Sequence, residues 1–385
     1  MSSSIQSNFA NSLDYRGRIL EIEGSHVWGT SGFIDEDGKV HVYFSHWSID
    51  DARAAWVTSC KVNYATAETI DSEFVDHGTV LEGSGGIKWD AWSIHNPCVH
   101  RVGDKYVLLY MGSNGNDINQ SQQELNQAIL ACEAEGSFYP PADRPKGLSA
   151  EVTQRIEQVW SNYIKVVESK RIGLAIADSP CGPFVRIGDS PILDVGNDGE
   201  WDDLVTSNPA FCVSPDGHFN LYYKAWNRAS WYCAHGNRKY GLATSERLEG
   251  PYTKSVANPI IDFEPLGDNS QLEDASVFYL NQQYHMVARD MGLVDHIRGI
   301  IMSSDDGVNF TSPTFAFGGV NQYSDESVLE VDDMARAGNY ERPQIIKNTI
   351  GEPVALICAS TGGKYGTSSP VLFKINSQRL CYEAQ

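Results

Sequence analysis

The chain contains no Cys-x-x-Cys pair, no run of eighteen consecutive apolar residues, and no early positive cluster followed by an apolar core. The first absence argues against a zinc ribbon or a disulfide framework. The eight cysteines (Cys60, Cys98, Cys132, Cys181, Cys212, Cys233, Cys358 and Cys381) are scattered. Cys98, Cys212 and Cys358 sit inside apolar strand-like runs, as buried thiols of a reducing compartment do. The second absence leaves no membrane-spanning segment to expect. The third means that "MSSSIQSNFANSLDYRGR" does not resemble a secretory signal. A cytoplasmic address is therefore expected, or a periplasmic one if a leader has been removed. Positive charge is also scarce: 29 Lys and Arg stand against 50 Asp and Glu, a net charge of −21. Such a surface repels nucleic acid and anionic lipid, so neither partner is expected. A solvated acidic surface, as in proteins from salty environments, fits the same composition. No residue pattern spells out a metal site or a cofactor.

What the chain does contain is repetition. An apolar strand, a turn with Gly or Asp, and a second strand rich in Tyr and Val recur at 32–47, 97–113, 209–226, 275–291 and 343–360. Each has the alternation and turn chemistry of a β-hairpin. A third strand follows each hairpin after a loop, as in "RIGLAIADSPCGPF" and "KYGLATSERLEGPY" and, less clearly, "SSPVLFKINSQ". Outer segments such as "RIGDSPIL" and "KSVANPII" come next. Five four-stranded units predict an all-β fold, a five-bladed β-propeller forming a single domain over 1–385. A β-sandwich is the alternative that also strings short strands together.

Residues 115–168 interrupt the second unit. Ser149 to Val167 carries a Ser cap, an early Glu, and apolar spacing at Val152, Ile156, Val159, Trp160 and Tyr163, which predicts an amphipathic helix. A shorter helix is expected near Gln122–Glu133. The insertion is either decoration packed on the side of the propeller or a lid or subunit contact, and it is the candidate surface for a homo-oligomer.

In a propeller the innermost strands line a central channel, so residues just before each hairpin meet at its mouth. Here those segments are "HVWGTSG", "WDAWSIHNP", "WDDLVTSNP", "QLEDA" and "YERP". Two of them share one pattern: Trp-Asp, five residues, Asn-Pro, beginning at Trp89 and Trp201. Together they bring Asp90, Asp202, Asp203, Glu273, Asp274 and Glu341, with His26, His95, Asn96, Asn208 and Arg342. Trp28, Trp89, Trp92 and Trp201 add flat apolar faces. Carboxylates crowded at a channel mouth shift one another's pKa, which suits acid and base roles. Two carboxyl groups flanking a bond, with tryptophans beneath, is the arrangement that glycoside hydrolysis requires. The catalytic candidates are Asp90, Glu273 and Asp274. The candidates for contact with an oligosaccharide are Trp28, Trp92, His95, Asn96, Asp202, Asn208, His296, Glu341 and Arg342. Each also has a bland reading. Asp90 and Asp202 are equally suited to capping loop amides, Asn-Pro is a turn device, Glu341–Arg342 fits an ion pair, and His296 fits a surface loop.

The segments "GLAIADSPCGPF", "FNLYYKAWN" and "YGLATSERLEGPYTKSVANPI" resemble those of the five-bladed propeller glycosidases of glycoside hydrolase families 43 and 117. The motif-level likeness spans roughly residues 171–290. Family 43 membership would imply an acid Glu opening the fourth blade, a place held by Glu273. It would also imply a base Asp on the first blade and a tuning Asp on the third, where Gly29/Thr30 and Asn208 stand. Family 117 would imply a His where Glu273 stands. The resemblance thus implies a separate, related group, with Asp90 first choice as the base and Asp202 and Glu341 in reserve. The expected activity is exo-acting hydrolysis, with Glu273 or Asp274 as acid, that releases a terminal 3,6-anhydrogalactose from red-algal carrageenan or agar oligosaccharides. An α-L-arabinofuranosidase or β-xylosidase and a non-catalytic carbohydrate-binding propeller are the alternatives. Arg289, Arg298 and Arg342 hint at an anionic sugar.

Overall fold

A computed structural model describes residues 4–138, 146–229, 238–267, 270–326 and 338–381. Each hairpin turn uses the chemistry its sequence announces. In "DEDGK", Asp35 Oδ1 accepts the amides of Asp37 and Lys39 at 3.0 and 2.9 Å, and Gly38 takes φ 85°. In "SPDGH", the Ser214 hydroxyl accepts the His218 amide at 2.9 Å, and Gly217 takes φ 89°. These short polar turns return the chain antiparallel to itself.

Among the described residues the strands form three sheets of four and one of eight. The second unit contains Ser93–Val102, Lys105–Ser113, Arg171–Ala177 and Val185–Arg186. The third contains Val205–Val213, Phe219–Trp226, Lys239–Ser245 and Thr253–Lys254. The fourth contains Gln271–Leu280, Gln283–Met291, Gly299–Ser304 and Thr314–Phe317. The eight-stranded sheet divides at a single parallel bridge, His26 to Ser368. On one side lies the first unit, Ser25–Ile34, Val40–Ser48, Lys61–Ala67 and Val75–Leu81. On the other lies the fifth, Glu341–Lys347, Pro353–Gly362 and Thr367–Ile375.

The fifth unit draws its outer strand from the far end of the chain: Leu13–Arg18 pairs antiparallel with Thr367–Ile375. Sequence reading misses this strand because "LDYRGR" has no apolar alternation. The outer strands of units two and three are only two residues long and begin before the segments expected from sequence. Ile192–Leu193 and Ile260–Ile261 join their sheets only through isolated bonds.

The first strands of the five units touch in cyclic order, one to two, two to three and onward back to one. They are buried along nearly all of the Ser25–Ile34, Ser93–Cys98, Val205–Cys212, Gln271–Phe278 and Glu341–Ile346 stretches. Their side chains therefore face other protein on both sides, so the polar and charged ones among them, such as Glu273, Asp274, Glu341 and Arg342, are buried as well.

Two helices occupy the interruption of the second unit. Ser121 and Glu124 form a capping box at the start of Gln122–Ala134, and the Ser149 side chain caps Ala150–Glu168 by accepting from the Val152 amide. Ile156, Val159, Ile164 and Val167 of the longer helix join Leu125 and Ile129 of the shorter one, packing on Trp28, Trp47, Ala55 and Val57 of the first unit. The insertion thus spends its apolar face on its own body. Residues 139–145 of it, and Cys233, lie outside the described residues. No described helix is long and apolar enough to cross a membrane.

Candidate active site

Every first strand carries the same irregularity. The register with the second strand slips between Trp28 and Ser31, His95 and Cys98, Ser207 and Ala210, Glu273 and Ser276, and Glu341 and Gln344. Each slip is a β-bulge, which inserts a residue and re-aims the side chains around it. The bulged residues take positive φ: Gly29 at 54°, Asn96 at 51°, Asn208 at 47°, Asp274 at 58° and Arg342 at 51°. Asn and Asp tolerate that region better than other residues with a Cβ, and Arg does not. The surrounding structure must therefore impose it at Arg342.

The bulged side chains interlock around the axis. Asn96 Nδ2 donates to Asn208 Oδ1 at 3.1 Å, and Asn208 Nδ2 donates to Asp274 Oδ1. Arg342 Nη1 stands 3.8 Å from that same oxygen, and Arg342 Nη2 donates to the Asn96 carbonyl at 3.1 Å. Gly29 completes the ring because a Cβ there would sit 2.6 Å from Asn96 Oδ1. Gly29→Ala combines that clash with an unfavourable φ, and urea unfolding is expected to show a loss of about 1–3 kcal/mol. Asn96, Asn208, Asp274 and Arg342 thus form a polar plug where the first strands of the five units meet.

One residue before the bulge, Glu273 is surrounded by cations. Lys224 Nζ and Arg238 Nε approach its Oε1 at 2.6 and 2.7 Å, and Arg289 Nη1 lies 3.8 Å from Oε2. Arg289 Nη1 also reaches Glu341 Oε1 at 2.9 Å, so one guanidinium links the carboxylates of two units. Burial alone would raise the Glu273 pKa, but the charges of Arg238, Lys224 and Arg289 outweigh it and hold the carboxyl well below the usual range. The three cations favour the ionised form of Glu273, which of the two acid candidates, Glu273 and Asp274, sets it apart as the one whose protonation is opposed.

A chain of aromatic contacts leads on from this cluster. Lys224 and Arg238 lie 5.2 and 5.5 Å from the Trp226 ring centre. Lys170 sits between Trp226 and Trp56, at 4.9 and 5.2 Å. The Trp56 ring is 5.2 Å from that of His95, whose Nδ1 is 3.2 Å from Cys60 Sγ. Trp28 packs with Trp47 beneath the helices, and Trp92 is half-buried against Gly115.

The Trp-Asp repeat has a different purpose. The Asp90 carboxylate is 1% exposed and takes Ser84 Oγ at 2.5 Å, Tyr110 OH at 3.0 Å and Arg186 Nε at 2.7 Å. Trp89 stacks on Tyr110 with ring centres 5.8 Å apart. In the third unit Asp202 takes Tyr223 OH at 3.0 Å and Lys254 Nζ at 2.7 Å, and Trp201 lies 5.6 Å from Tyr223. Each aspartate thus ties a lead-in segment to the second and outermost strands of its own sheet. These contacts match the structural reading of the two aspartates: protein donors take both oxygens of Asp90 and the Oδ2 of Asp202. His296 is half-buried, at φ 64°, on a loop whose Leu293, Val294 and Asp295 amides bond Asp290. Arg298 turns to Asp295, 2.6 Å away, rather than to the cluster.

Sequence reasoning missed Lys170, Lys224, Arg238, Trp56 and Trp226. Lys224 did leave a signal, since a lysine inside "FNLYYKAW" cannot avoid burial and so requires a partner. On the other side of the plug, a cavity of about 350 Å³ is lined by Ser31, Cys98, Ala210, Ser276, Gln344 and Lys347, among others.

No family model matches the chain, and no curated protein matches it. Solved structures do. A family 117 glycoside hydrolase of the marine bacterium Zobellia galactanivorans is 19% identical at TM-score 0.60, over 95% of this chain and 90% of its own. A family 43 β-xylosidase/α-arabinofuranosidase from a compost microbial metagenome is 15% identical at TM-score 0.54, over 94% of both chains. A family 43 enzyme of Xanthomonas citri, solved with xylotriose, is 13% identical at TM-score 0.51, over 97% of this chain and 93% of its own. At these identities the likeness is one of fold.

Proposed function

We propose that the chain is a single-domain, five-bladed β-propeller glycoside hydrolase whose active site is the mouth above the bulge ring. The observation that carries this reading is Glu273, a buried, ionised carboxylate one residue before the fourth bulge, with Asp274 next to it and Glu341 across Arg289. An ionised carboxylate among fixed donors suits nucleophilic attack, water activation or stabilisation of an oxocarbenium-like transition state. Asp274 is proposed as the proton donor because its one cation, Arg342, stands 3.8 Å away, against the two direct ion pairs on Glu273. Asn208 and Arg342 both address its Oδ1, leaving Oδ2 as the atom to deliver a proton to the leaving oxygen.

Exo action is in keeping with a plug of Asn96, Asn208, Asp274 and Arg342 that bars a sugar chain from passing between the first strands. The proposed product is terminal 3,6-anhydrogalactose from carrageenan or agar oligosaccharides, in keeping with the likeness to a marine family 117 enzyme. The family 43 neighbours favour arabinose or xylose as the alternative product. A second reading, carbohydrate binding without hydrolysis, rests on the first unit: its bulge holds Trp28, Gly29 and Thr30, with no carboxylate.

The test is to incubate the purified protein with red-algal and with arabino- and xylo-oligosaccharides and to identify any released monosaccharide. Anhydrogalactose supports the full proposal, and arabinose or xylose replaces the substrate. Binding with no release from any of them replaces hydrolysis with recognition.

A further inference from the structure

Among the described residues, basic groups outnumber carboxylates at the mouth, the reverse of the chain as a whole. The whole chain carries −21. Around Glu273, Asp274 and Glu341, however, the described cations are Lys170, Lys224, Arg238, Arg289 and Arg342. Glu273 answers Lys224 and Arg238, Glu341 answers Arg289, and Asp274 faces Arg342. Five basic groups thus face three carboxylates, an excess of two, since Glu273 is shared by Lys224 and Arg238 and Lys170 has no carboxylate of its own. It is 4% exposed, its Nζ makes no ion pair with any described residue, and its contacts are the faces of Trp56 and Trp226.

Burying positive charge in excess of negative charge is costly, and a fold tolerates it where the deficit is made up from outside. Burial and the neighbouring charge of Lys224 oppose the Lys170 ammonium, while Glu273 favours it, and the net effect holds its pKa well below the ordinary lysine range. An anion arriving beside it would relieve that opposition. The three basic groups, two amines and one guanidinium, also share one platform, because Lys170, Lys224 and Arg238 all lie over the Trp226 ring. The Arg238 side chain, 27% exposed, connects the platform with solvent. Lys170 lies in the junction between the helix Ala150–Glu168 and the strand Arg171–Ala177, two residues past the end of the insertion.

We propose that Lys170, Lys224 and Arg238, gathered on Trp226 beside Glu273, form a subsite for an oxyanion, a sulfate ester or a carboxylate, carried by the sugar that occupies the mouth. This rests on the glycosidase reading for the presence of a sugar, but the choice of an anionic one comes from the charge balance. Lysine and arginine bind such groups through charge-assisted hydrogen bonds, and Lys170 has all of its donors to give. Net negative charge elsewhere on the protein makes a fortuitous anion site improbable and sets the mouth apart electrostatically.

The experiment compares three oligosaccharides of equal length, neutral, sulfate-bearing and uronate-bearing, by titration calorimetry at low and high salt. It uses the intact protein and the Lys170→Met and Arg238→Met variants, with inorganic sulfate as a separate probe in thermal unfolding. The expected result is at least about tenfold tighter binding of one anionic ligand than of the neutral one, weakening with salt. That preference should collapse towards unity in Lys170→Met and shrink in Arg238→Met, the latter guarding against a core defect in the former. Whichever of the sulfate and uronate arms binds tighter identifies the oxyanion. Equal affinity for neutral and anionic ligands, or a preference unchanged in both variants, overturns the subsite and leaves hydrolysis at the mouth standing. If inorganic sulfate stabilises the protein but none of the three oligosaccharides binds it, the glycosidase reading falls, and with it the sugar that this subsite is proposed to serve.

Discussion

Glu273→Gln is expected to lower kcat/KM by roughly a thousandfold while the protein remains folded, the loss typical when an ionised or preorganised group is removed from a transition state. Glutamine keeps an oxygen for the Lys224 Nζ that lies 2.6 Å from Oε1. It supplies no charge to set against Lys224, Arg238 and Arg289, and none to meet positive charge developing at the sugar ring. The same cations give the residue a signature in acid. Its folded pKa is depressed, so its contribution to stability is fully present above the ordinary glutamate pKa of about 4.3 and is lost as pH falls through the lower folded value. The acid limb of the unfolding curve should therefore shift between the parent protein and Glu273→Gln, and the neutral range should not show that shift. Wild-type turnover in the variant would remove Glu273 from the chemistry.

Asp90→Ala is expected to behave in the opposite way, costing about 3 kcal/mol or more of stability. The change leaves Arg186, 26% exposed on its side chain, and the buried Tyr110 hydroxyl without their acceptor. Asp202→Ala should show a similar loss, because Tyr223 and Lys254 repeat the arrangement in the third sheet. Urea unfolding measures both, and a double-mutant cycle of Asp90→Ala with Arg186→Ala should return a coupling that neither single change explains. The conservative Asp90→Asn, assayed where it is folded, should retain catalysis. Loss of turnover without loss of stability would restore Asp90 as the base and contradict the placement described above.

The contrast between these residues shows what could be read from sequence. The hairpins were legible because their alternation and Asp-Gly turns are local, and so was the longer helix, from its Ser149 cap and apolar spacing. The strand Leu13–Arg18 was not, because its partner Thr367–Ile375 lies at the opposite end of the chain and its side chains carry no period. The Trp-Asp repeat was legible as a repeat but not as a clasp. Its meaning depends on Tyr110 and Arg186 in one sheet and on Tyr223 and Lys254 in the other, partners that no spacing reveals. Glu273, Asp274, Asn96, Asn208 and Arg342 were placed at the mouth because each directly precedes a hairpin. The cationic surroundings of Glu273 were missed because Lys170, Lys224, Arg238 and Arg289 come from separate strands and loops, and they oppose the protonation that an acid at its position would need.

The insertion joins fold and site. Its apolar face is buried on the first unit, as in the decoration alternative, and the chain that leaves it places Lys170 between two indoles.

The most direct test of the account is a crystal structure of Glu273→Gln soaked with a red-algal oligosaccharide. The account predicts the terminal sugar at the mouth, within hydrogen-bonding distance of residue 273 and Asp274, with an oxyanion of the ligand against Lys170. A ligand in the cavity beyond the plug, beside Ser31, Cys98 and Gln344, with the mouth empty, would contradict it.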